Sequence, residues 1–172
     1  MNGHSVYLRA LEPSDLDVLY RLENDPQTWS VSDTLAPFSK HVLDQYLQNA
    51  HLDIFTVKQF RFMIVESTTD EPVGTIDLYD FDPYHQRVAV GLLIDSGHRR
   101  RGYASEALSM LEDYCFNTLQ VHQIYAHIAK ENSESVSLFE KHQFERTGVK
   151  KEWRKTLQGW SDEFIYQKIS KK

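Results

Sequence analysis

The sequence predicts a single mixed α/β (α+β) domain across residues 1–172, in which antiparallel strands lead into a strand–loop–helix–strand–helix unit. Three observations predict this fold. Short segments rich in β-branched and aromatic residues alternate with turn sequences in the middle of the chain. A nearly continuous apolar run at 87–94 precedes the clearest amphipathic helix. Two strand-like segments near the end, punctuated by Gly159, predict a final hairpin.

The first third of the chain predicts one strand, at 6–9, and two helices. Ser14 precedes an apolar stripe at helical spacing and is the predicted N-cap of the first helix, and Ser39 begins the second. The loop between them, residues 23–38, carries Trp29 and two prolines. Because long loops in compact domains are often functional, we expect this one to form a wall of a substrate site.

The remaining elements follow from periodicity. Residues 62–66 and 73–79 are strand-like and are joined by a turn-rich segment. The run at 87–94 predicts a central strand that is covered on both faces. The helix after it has apolar residues at positions 104, 107, 108, 111 and 115. The last predicted elements are a strand at 123–128, a helix at 132–142 and hairpin strands at 144–153 and 160–169.

Composition excludes several classes of protein. A formal net charge of -6 argues against a nucleic-acid partner that is bound by the whole surface. The one cysteine, Cys115, excludes an internal disulfide and a cysteine-based zinc cluster, and we expect no metal. Since Cys115 falls on an apolar helix stripe, it is predicted to be a buried small hydrophobe. We see neither a signal peptide nor a run approaching the roughly 20 apolar residues of a membrane span, and therefore expect a cytoplasmic protein without a membrane partner.

The segment from Ser96 to Ala104, SGHRRRGYA, carries the main functional signal. A nucleic-acid patch, a solvated charge run and a phosphate cradle all fit three adjacent arginines. The setting favours the cradle, because the first turn of the following helix leaves N–H groups unpaired at the positive end of the helix dipole. Gly102 permits close approach of the backbone, and guanidinium groups suit phosphate oxygens. We predict a pyrophosphate site here.

The pattern Arg99-x-x-Gly102-x-Ala104 is similar to the Q/R-x-x-G-x-G/A loop of the GNAT N-acyltransferases, which bind the pyrophosphate of acetyl-CoA there. The segments YLRALEPSDLDVLYRLENDP and QIYAHIAKENSESVSLFEKHQF and the closing hairpin extend the resemblance over nearly the whole chain. The sequence looks closest to the branch of spermidine/diamine and ribosomal-protein N-acetyltransferases. The resemblance implies a mostly antiparallel central sheet flanked by helices, with a splayed central strand pair. It also implies acetyl-CoA as cofactor, direct transfer to a small-molecule primary amine in a ternary complex, and a homo-oligomer (dimer or larger).

The resemblance also implies where the cofactor lies. Gly91 is expected to mark a bulge, which in the family splays two strands so that pantetheine slides between them; a plain bulge without a ligand is the alternative. Asn132 is expected to cap its helix, and by resemblance its amide also contacts CoA; a pure cap without a ligand contact is the alternative. A solvated helix face explains Ser135 and Lys141 almost as well as a contact does. The predicted cofactor contacts are Leu92, Leu93, Ile94, Arg99, Arg100, Arg101, Gly102, Tyr103, Ala104, Asn132, Ser135, Phe139 and Lys141.

Two positions depart from the family's catalytic pattern. Phe139 stands where a tyrosine acid is common, and phenylalanine cannot donate a proton; Ala89 stands where many relatives place a glutamate base. An amine with a pKa of about 10.4 is mostly protonated at neutral pH, so a base assists the attack. By alignment, Asp77 and Asp80 fall where acidic residues line the amine site of polyamine acetyltransferases. We predict that one of them binds the substrate and relays its proton through water; the alternative is a surface aspartate at a strand end.

Other side chains are candidates at the amine site. Tyr79 and Tyr125 are candidate replacement acids, with packed aromatic residues as the alternative, and His85 is a candidate base or an exposed loop residue. Acidic residues surround Trp29, which predicts an acidic, aromatic-lined vestibule for a polyamine; the alternative is a polar loop with one packing tryptophan. The predicted substrate contacts are Glu23, Trp29, Asp33, Asp77 and Asp80.

Three functions are thus open. The first is acetyl transfer from acetyl-CoA to a primary amine, with a polyamine or diamine as the leading acceptor and a protein N-terminus or an aminoglycoside behind it. The second is a CoA-binding protein of the same fold without catalysis, which Phe139 and Ala89 permit. The third, a nucleic-acid module, finds no support in the net charge of -6.

Overall fold

The computed structural model describes residues 1–26, 28–29 and 34–171. Its strands are β1 (Val6–Ala10), β2 (Phe60–Glu66), β3 (Pro72–Asp82), β4 (Arg87–Ile94), β5 (Gln123–Ala129), β6 (Glu145–Thr156) and β7 (Gly159–Ile169). They form one sheet in the order β1-β2-β3-β4-β5-β7-β6. Only β4 and β5 pair in parallel among the described strands, which confirms the mixed, mostly antiparallel sheet and the final hairpin.

The helices are α1 (Leu16–Glu23), α2 (Lys40–Gln48), α3 (Ile54–Val57), α4 (Tyr103–Asp113) and α5 (Ser133–Lys141). Ser39 caps α2 as predicted, since its Oγ accepts the Val42 N–H at 3.2 Å. The prediction that Ser14 caps α1 is wrong. Pro13 starts a 3₁₀ turn ahead of α1, and the cap of that turn is Glu12.

Alternation along β5 assigns the two faces of the sheet. Ile124, Ala126 and Ile128 are buried in the main core, together with residues of α4 and α5. A second, smaller core packs α1 and α2 against β2 on the opposite face. Tyr125 and His127 alternate with the core residues of β5 and therefore lie on that opposite face, where they are half-buried.

Strands β4 and β5 separate partway along their length. The parallel pairing covers only 87–89 against 123–125. On its other edge, β4 keeps a regular register with β3 as far as Ile94. The predicted splay is therefore present, but the predicted bulge at Gly91 is wrong, because Gly91 pairs regularly with Asp77. The irregularity lies in β3 after Tyr79, where Asp80 has a φ of +50°, a conformation that aspartate tolerates better than most residues.

Among the described residues, no helix combines the length and apolar character needed to cross a bilayer. In the same part of the chain, no group of three or more His, Cys, Asp or Glu side chains is arranged to hold a metal ion. Cys115 is buried, as predicted, and its burial raises the pKa of the thiol far above the ordinary value. The cysteine is therefore a packing residue rather than a reactive one.

We predict that Leu111→Ala destabilises the protein by about 2–5 kcal/mol, because the side chain is fully buried between α4 and the sheet and its loss leaves a cavity. The matched change Leu157→Ala, at a fully exposed position, is expected to stay within about 0.5 kcal/mol. Urea unfolding measures both. Equal costs for the two variants would show that the core is misplaced.

Candidate active site

The diverging strands open a cleft of about 600 Å³, which is lined from both faces of the sheet: by residues of α1 and α2 on one face and by residues of α5 on the other. One wall is β4 at 90–93 and the other is β5 at 126–129. Because β4 pairs with β5 only as far as Ala89, the β4 edge beyond this point has no strand partner on that side among the described residues. The main-chain groups of that edge are thus available to an extended, amide-bearing ligand.

The arginine loop ends at an open helix N-terminus. Gly102, with a φ of +86°, is the N-cap of α4, and its carbonyl oxygen accepts the Glu106 N–H at 3.1 Å. The N–H groups of residues 103–105 therefore have no partner inside the helix, which is the arrangement that binds anions. A Cβ placed on Gly102 would meet no atom within 4 Å, so the approach to this turn is open.

Two of the predicted arginines, Arg99 and Arg101, form hydrogen bonds to main-chain carbonyl groups in and next to the loop. Arg99 donates its Nε–H to the Ile94 carbonyl oxygen at 3.2 Å, which ties the loop to the end of β4. Arg101 donates from Nη2 to the Gly97 carbonyl oxygen at 3.5 Å. Both guanidinium groups keep further N–H donors, since each carries five.

The neighbouring loop residues differ in exposure. Arg100 is exposed, and its Nη2 lies 3.5 Å from Glu134 at the start of α5. Tyr103 is buried and its hydroxyl donates to Glu66, so only its main-chain N–H can face an anion. Ala104, half-buried, packs against the main core.

Helix α5 contributes the end of the cleft. Asn132 caps it as predicted, since its Oδ1 accepts the Ser135 N–H at 3.0 Å, and both residues line the cleft. Phe139 is buried, lines the cleft and packs edge-to-face on Phe144 at a centroid distance of 4.9 Å. Leu92 and Leu93 line the cleft as well. Lys141 is exposed and Ile94 is buried, and neither lines the cleft.

An ionic triad occupies the cleft on the β2–β3 side. Arg61 contacts Asp77 through Nε at 2.5 Å and Nη2 at 3.0 Å, and its Nη1 donates to Glu23. Although burial opposes the charged form, Asp77 and Glu23 raise the pKa of Arg61 above its ordinary value, so the guanidinium stays cationic. Tyr46 lies beneath it, with the guanidinium carbon 5.6 Å from the ring centroid.

The structure separates the two predicted catalytic aspartates. Asp77 lines the cleft, held by Arg61, whereas Asp80 is exposed at the irregular part of β3 and does not line it. Tyr79 lines the cleft and Tyr125 does not, and burial raises the pKa of both phenols. Such phenols are weak acids at neutral pH.

The predicted vestibule is only partly assembled. Glu23 lines the cleft. Trp29 is half-buried and donates its Nε1–H to the Glu23 carbonyl oxygen at 3.0 Å, and it does not line the cleft. Asp33 lies outside the described residues. His85, in the β3–β4 turn, is exposed and does not line the cleft.

Sequence reasoning missed a second ionic cluster, on the β5–β7–β6 side of the cleft. Glu163, with its side chain only 5% exposed, accepts from Lys150 at 3.0 Å and from Arg154 at 3.3 Å. The imidazole Nδ1 of His127 lies 3.3 Å from the Lys150 ammonium. Period-two alternation puts His127 on the same face as α1 and α2, but nothing local in the sequence indicates that three residues of the later hairpin join it there.

An open helix N-terminus beside two diverging strands, with ionic side chains in the cleft, defines a site of the acyl-CoA-dependent N-acetyltransferase class. Residues 5–145 match the model of the acetyltransferase (GNAT) domain, and the chain belongs to this family. It is an amine N-acetyltransferase, and its cofactor is acetyl-CoA. The open N–H groups at 103–105 and the unpaired β4 edge fit the phosphates and the amide-bearing arm of that cofactor.

Individual relatives agree with this family. The chain is 27% identical to an uncharacterized N-acetyltransferase, p20, of Bacillus licheniformis, over 95% of this chain and 92% of the relative. It is 28% identical to the spermidine N(1)-acetyltransferase of Vibrio cholerae, over 82% of this chain and 79% of that protein. A crystal structure of Vibrio cholerae spermidine N-acetyltransferase in complex with CoA and spermine superposes with a TM-score of 0.86, at 25% identity, covering 96% of this chain and 95% of that one.

We predict that Gly102→Ala weakens CoA binding at least several-fold and costs about 1–3 kcal/mol of stability, because alanine is strained at a φ of +86°. Gly97→Ala is the matched control in the same loop. Gly97 has neither a positive φ nor any atom within 4 Å of an added Cβ, so that change is expected to be nearly neutral. Calorimetric titration with CoA and urea unfolding test both; an equal response of the two variants would contradict the assignment.

Proposed function

We propose that the acceptor of this acetyltransferase is a polyamine or diamine, and that one of its primary amines attacks acetyl-CoA directly in a ternary complex. The observation that carries the proposal is the charge of the cleft. On the β2–β3 side, Glu23 and Asp77 line the cleft and share one cation, Arg61. Two carboxylates against one guanidinium group favour a ligand that carries positive charge on this side of the cleft.

Different residues of the chain are assigned to different parts of acetyl-CoA. Acetyl-CoA supplies an acetyl group that is already activated as a thioester. We assign the N–H groups of residues 103–105 to the phosphates, with guanidinium donors of Arg99, Arg100 and Arg101 around them. We assign the main chain of Leu92 and Leu93 to the amides of the arm, and Asn132 and Ser135 to its flank.

The amine side rests on Glu23 and Asp77. Each carboxylate has lone pairs beyond those that Arg61 uses, and these accept from an ammonium group. Because Arg61 engages both oxygens of Asp77, we propose that Asp77 binds and orients the acceptor rather than acting as the base. We propose that Asp80 relays the amine proton through water, because its exposed carboxylate lies close enough to raise the pKa of Tyr79, which lines the cleft.

The relatives support the acceptor class. This chain is 28% identical to the spermidine N(1)-acetyltransferase of Vibrio cholerae and 25% identical to that of Escherichia coli K12. A structure described as dodecameric spermidine N-acetyltransferase from Vibrio cholerae superposes with a TM-score of 0.80 at 25% identity. We propose a homo-oligomer for this chain on that basis. The cytoplasmic location stays a prediction.

Thiol release from acetyl-CoA tests the acceptor class. Polyamines, diamines, amino acids, aminoglycosides and N-terminal peptides are compared at the same concentration. We expect the highest kcat/KM with a polyamine or diamine, because two ammonium groups match the carboxylates of the cleft. Faster turnover of an N-terminal peptide would contradict the proposed acceptor, and firm CoA binding without any turnover would indicate a protein that has lost catalysis.

We predict that Asp77→Asn and Glu23→Gln each lower kcat/KM for the polyamine about tenfold, mainly through KM, since each removes one charge that holds the acceptor. The control is Asp113→Asn, an exposed carboxylate at the end of α4, which is expected to leave kcat/KM within twofold. For the relay, Asp77→Ala combined with Asp80→Ala is decisive. A value of kcat/KM within twofold of the unmodified chain would eliminate both aspartates.

A further inference from the structure

We propose that His127 is the proton donor of this active site, giving its Nε2 proton to the departing sulfur in place of the tyrosine that Phe139 replaces. The inference rests on the proposed function insofar as an amine attacks a thioester in this cleft. It concerns a residue that the sequence did not single out, and it does not depend on which amine is the acceptor.

The position of the ring is the first support. His127 lines the cleft from β5, with 26% of its side chain exposed. Its Nδ1 lies 3.3 Å from the Lys150 ammonium nitrogen and 3.6 Å from Oε1 of Glu163. The ammonium itself is fixed, because Glu163 accepts from it at 3.0 Å and it lies 4.7 Å from the ring centroid of Trp153. The Nδ1 atom of His127 is therefore in contact with an ammonium group that is itself held in place.

The tautomer follows from this contact. An ammonium group carries only donors, so the Nδ1 atom facing Lys150 must accept. A neutral imidazole has a single ring proton, which then resides on Nε2. Among the described residues, no side chain or carbonyl is hydrogen-bonded to Nε2 of His127. The ring thus offers the cleft a donor, and with Nδ1 occupied it does not serve as the base for the amine.

The surrounding charges keep the ring neutral. Burial lowers the pKa of His127, and Lys150 on β6 lowers it further. Glu163 on β7 and Asp80 on β3 act in the opposite sense without reversing the shift. Since the pKa lies below its ordinary value of 6.5, the imidazole is neutral at pH 7 and keeps its Nε2 proton.

The acetyl transfer needs no further co-reactant to account for its protons. The amine nitrogen bonds to the acetyl carbon and the C–S bond breaks, with its electron pair going to sulfur. His127 transfers its Nε2 proton to that sulfur and takes a proton at Nδ1 from Lys150. The proton that the amine loses enters water, and Lys150 regains one from water, so the products are the amide and the free thiol. Lys150 is a positioning residue that keeps the donor tautomer and replenishes it.

The first test needs neither cofactor nor acceptor. Nitrogen-15 spectra of histidine-labelled protein report the tautomer of His127 between pH 6 and 8, with His127→Gln used to assign the signal. We expect the Nε2-protonated form, titrating below the ordinary pKa of 6.5. Lys150→Met is expected to remove the tautomer preference and to raise the pKa of His127, because the cationic neighbour is lost. A ring protonated at Nδ1 in the unmodified chain would overturn the proposal.

The second test is kinetic and uses whichever acceptor class the thiol-release comparison finds active. We expect His127→Gln to lower kcat about 10²-fold while the Kd of CoA and the KM of the amine stay within about twofold. His85→Gln, the same change at an exposed turn residue, is the control and is expected to retain full activity. Full activity in His127→Gln, or a comparable loss of kcat in Tyr79→Phe alone, would overturn the assignment. A different acceptor would move neither result, so failure of the proposed function is distinguishable from failure of this inference.

Discussion

The site depends on one interruption of hydrogen bonding, the end of the parallel β4–β5 pairing after three residue pairs. Main-chain N–H and C=O groups need hydrogen-bond partners, so a strand edge without a strand partner pairs with water or with a ligand. Register with β3 holds β4 straight through Gly91, so the opening arises on one side only. The same strand ends in the loop that presents the N-terminus of α4. Strand β4 thus connects an open strand edge directly to the loop before an open helix N-terminus.

The cleft then acquires its chemistry from two ionic clusters on opposite sides. Beside β3, Arg61 forms ion pairs with two carboxylates. Beside β5, Glu163 forms ion pairs with Lys150 and Arg154. Groups that are this poorly hydrated interact more strongly than they would in water, which orders the side chains before any ligand binds. The first cluster suits recognition of a cationic acceptor. The second fixes the protonation of His127 and compensates for the missing tyrosine at 139.

Local signals made much of this fold predictable. Contiguous residues predict β4 by its apolar run, α4 by its apolar stripe and two helix starts by their caps, Ser39 and Asn132. The arginine loop is recognisable because it lies between β4 and α4. The clusters were missed because their members are far apart in sequence: Glu23 lies 38 residues from Arg61, and His127 lies 23 from Lys150. Likewise, periodicity does not reveal that β3 becomes irregular after Tyr79 while β4 stays regular.

Amide hydrogen exchange with and without CoA tests the central claim, that the unpaired edge of β4 and the start of α4 hold the cofactor. If they do, saturating CoA slows exchange at least several-fold in peptides covering 90–94 and 102–106, while exchange at 62–66 of β2, which lies between β1 and β3, is unchanged. Binding of CoA with no protection at 90–94 and 102–106, or with protection confined to other segments, would contradict it.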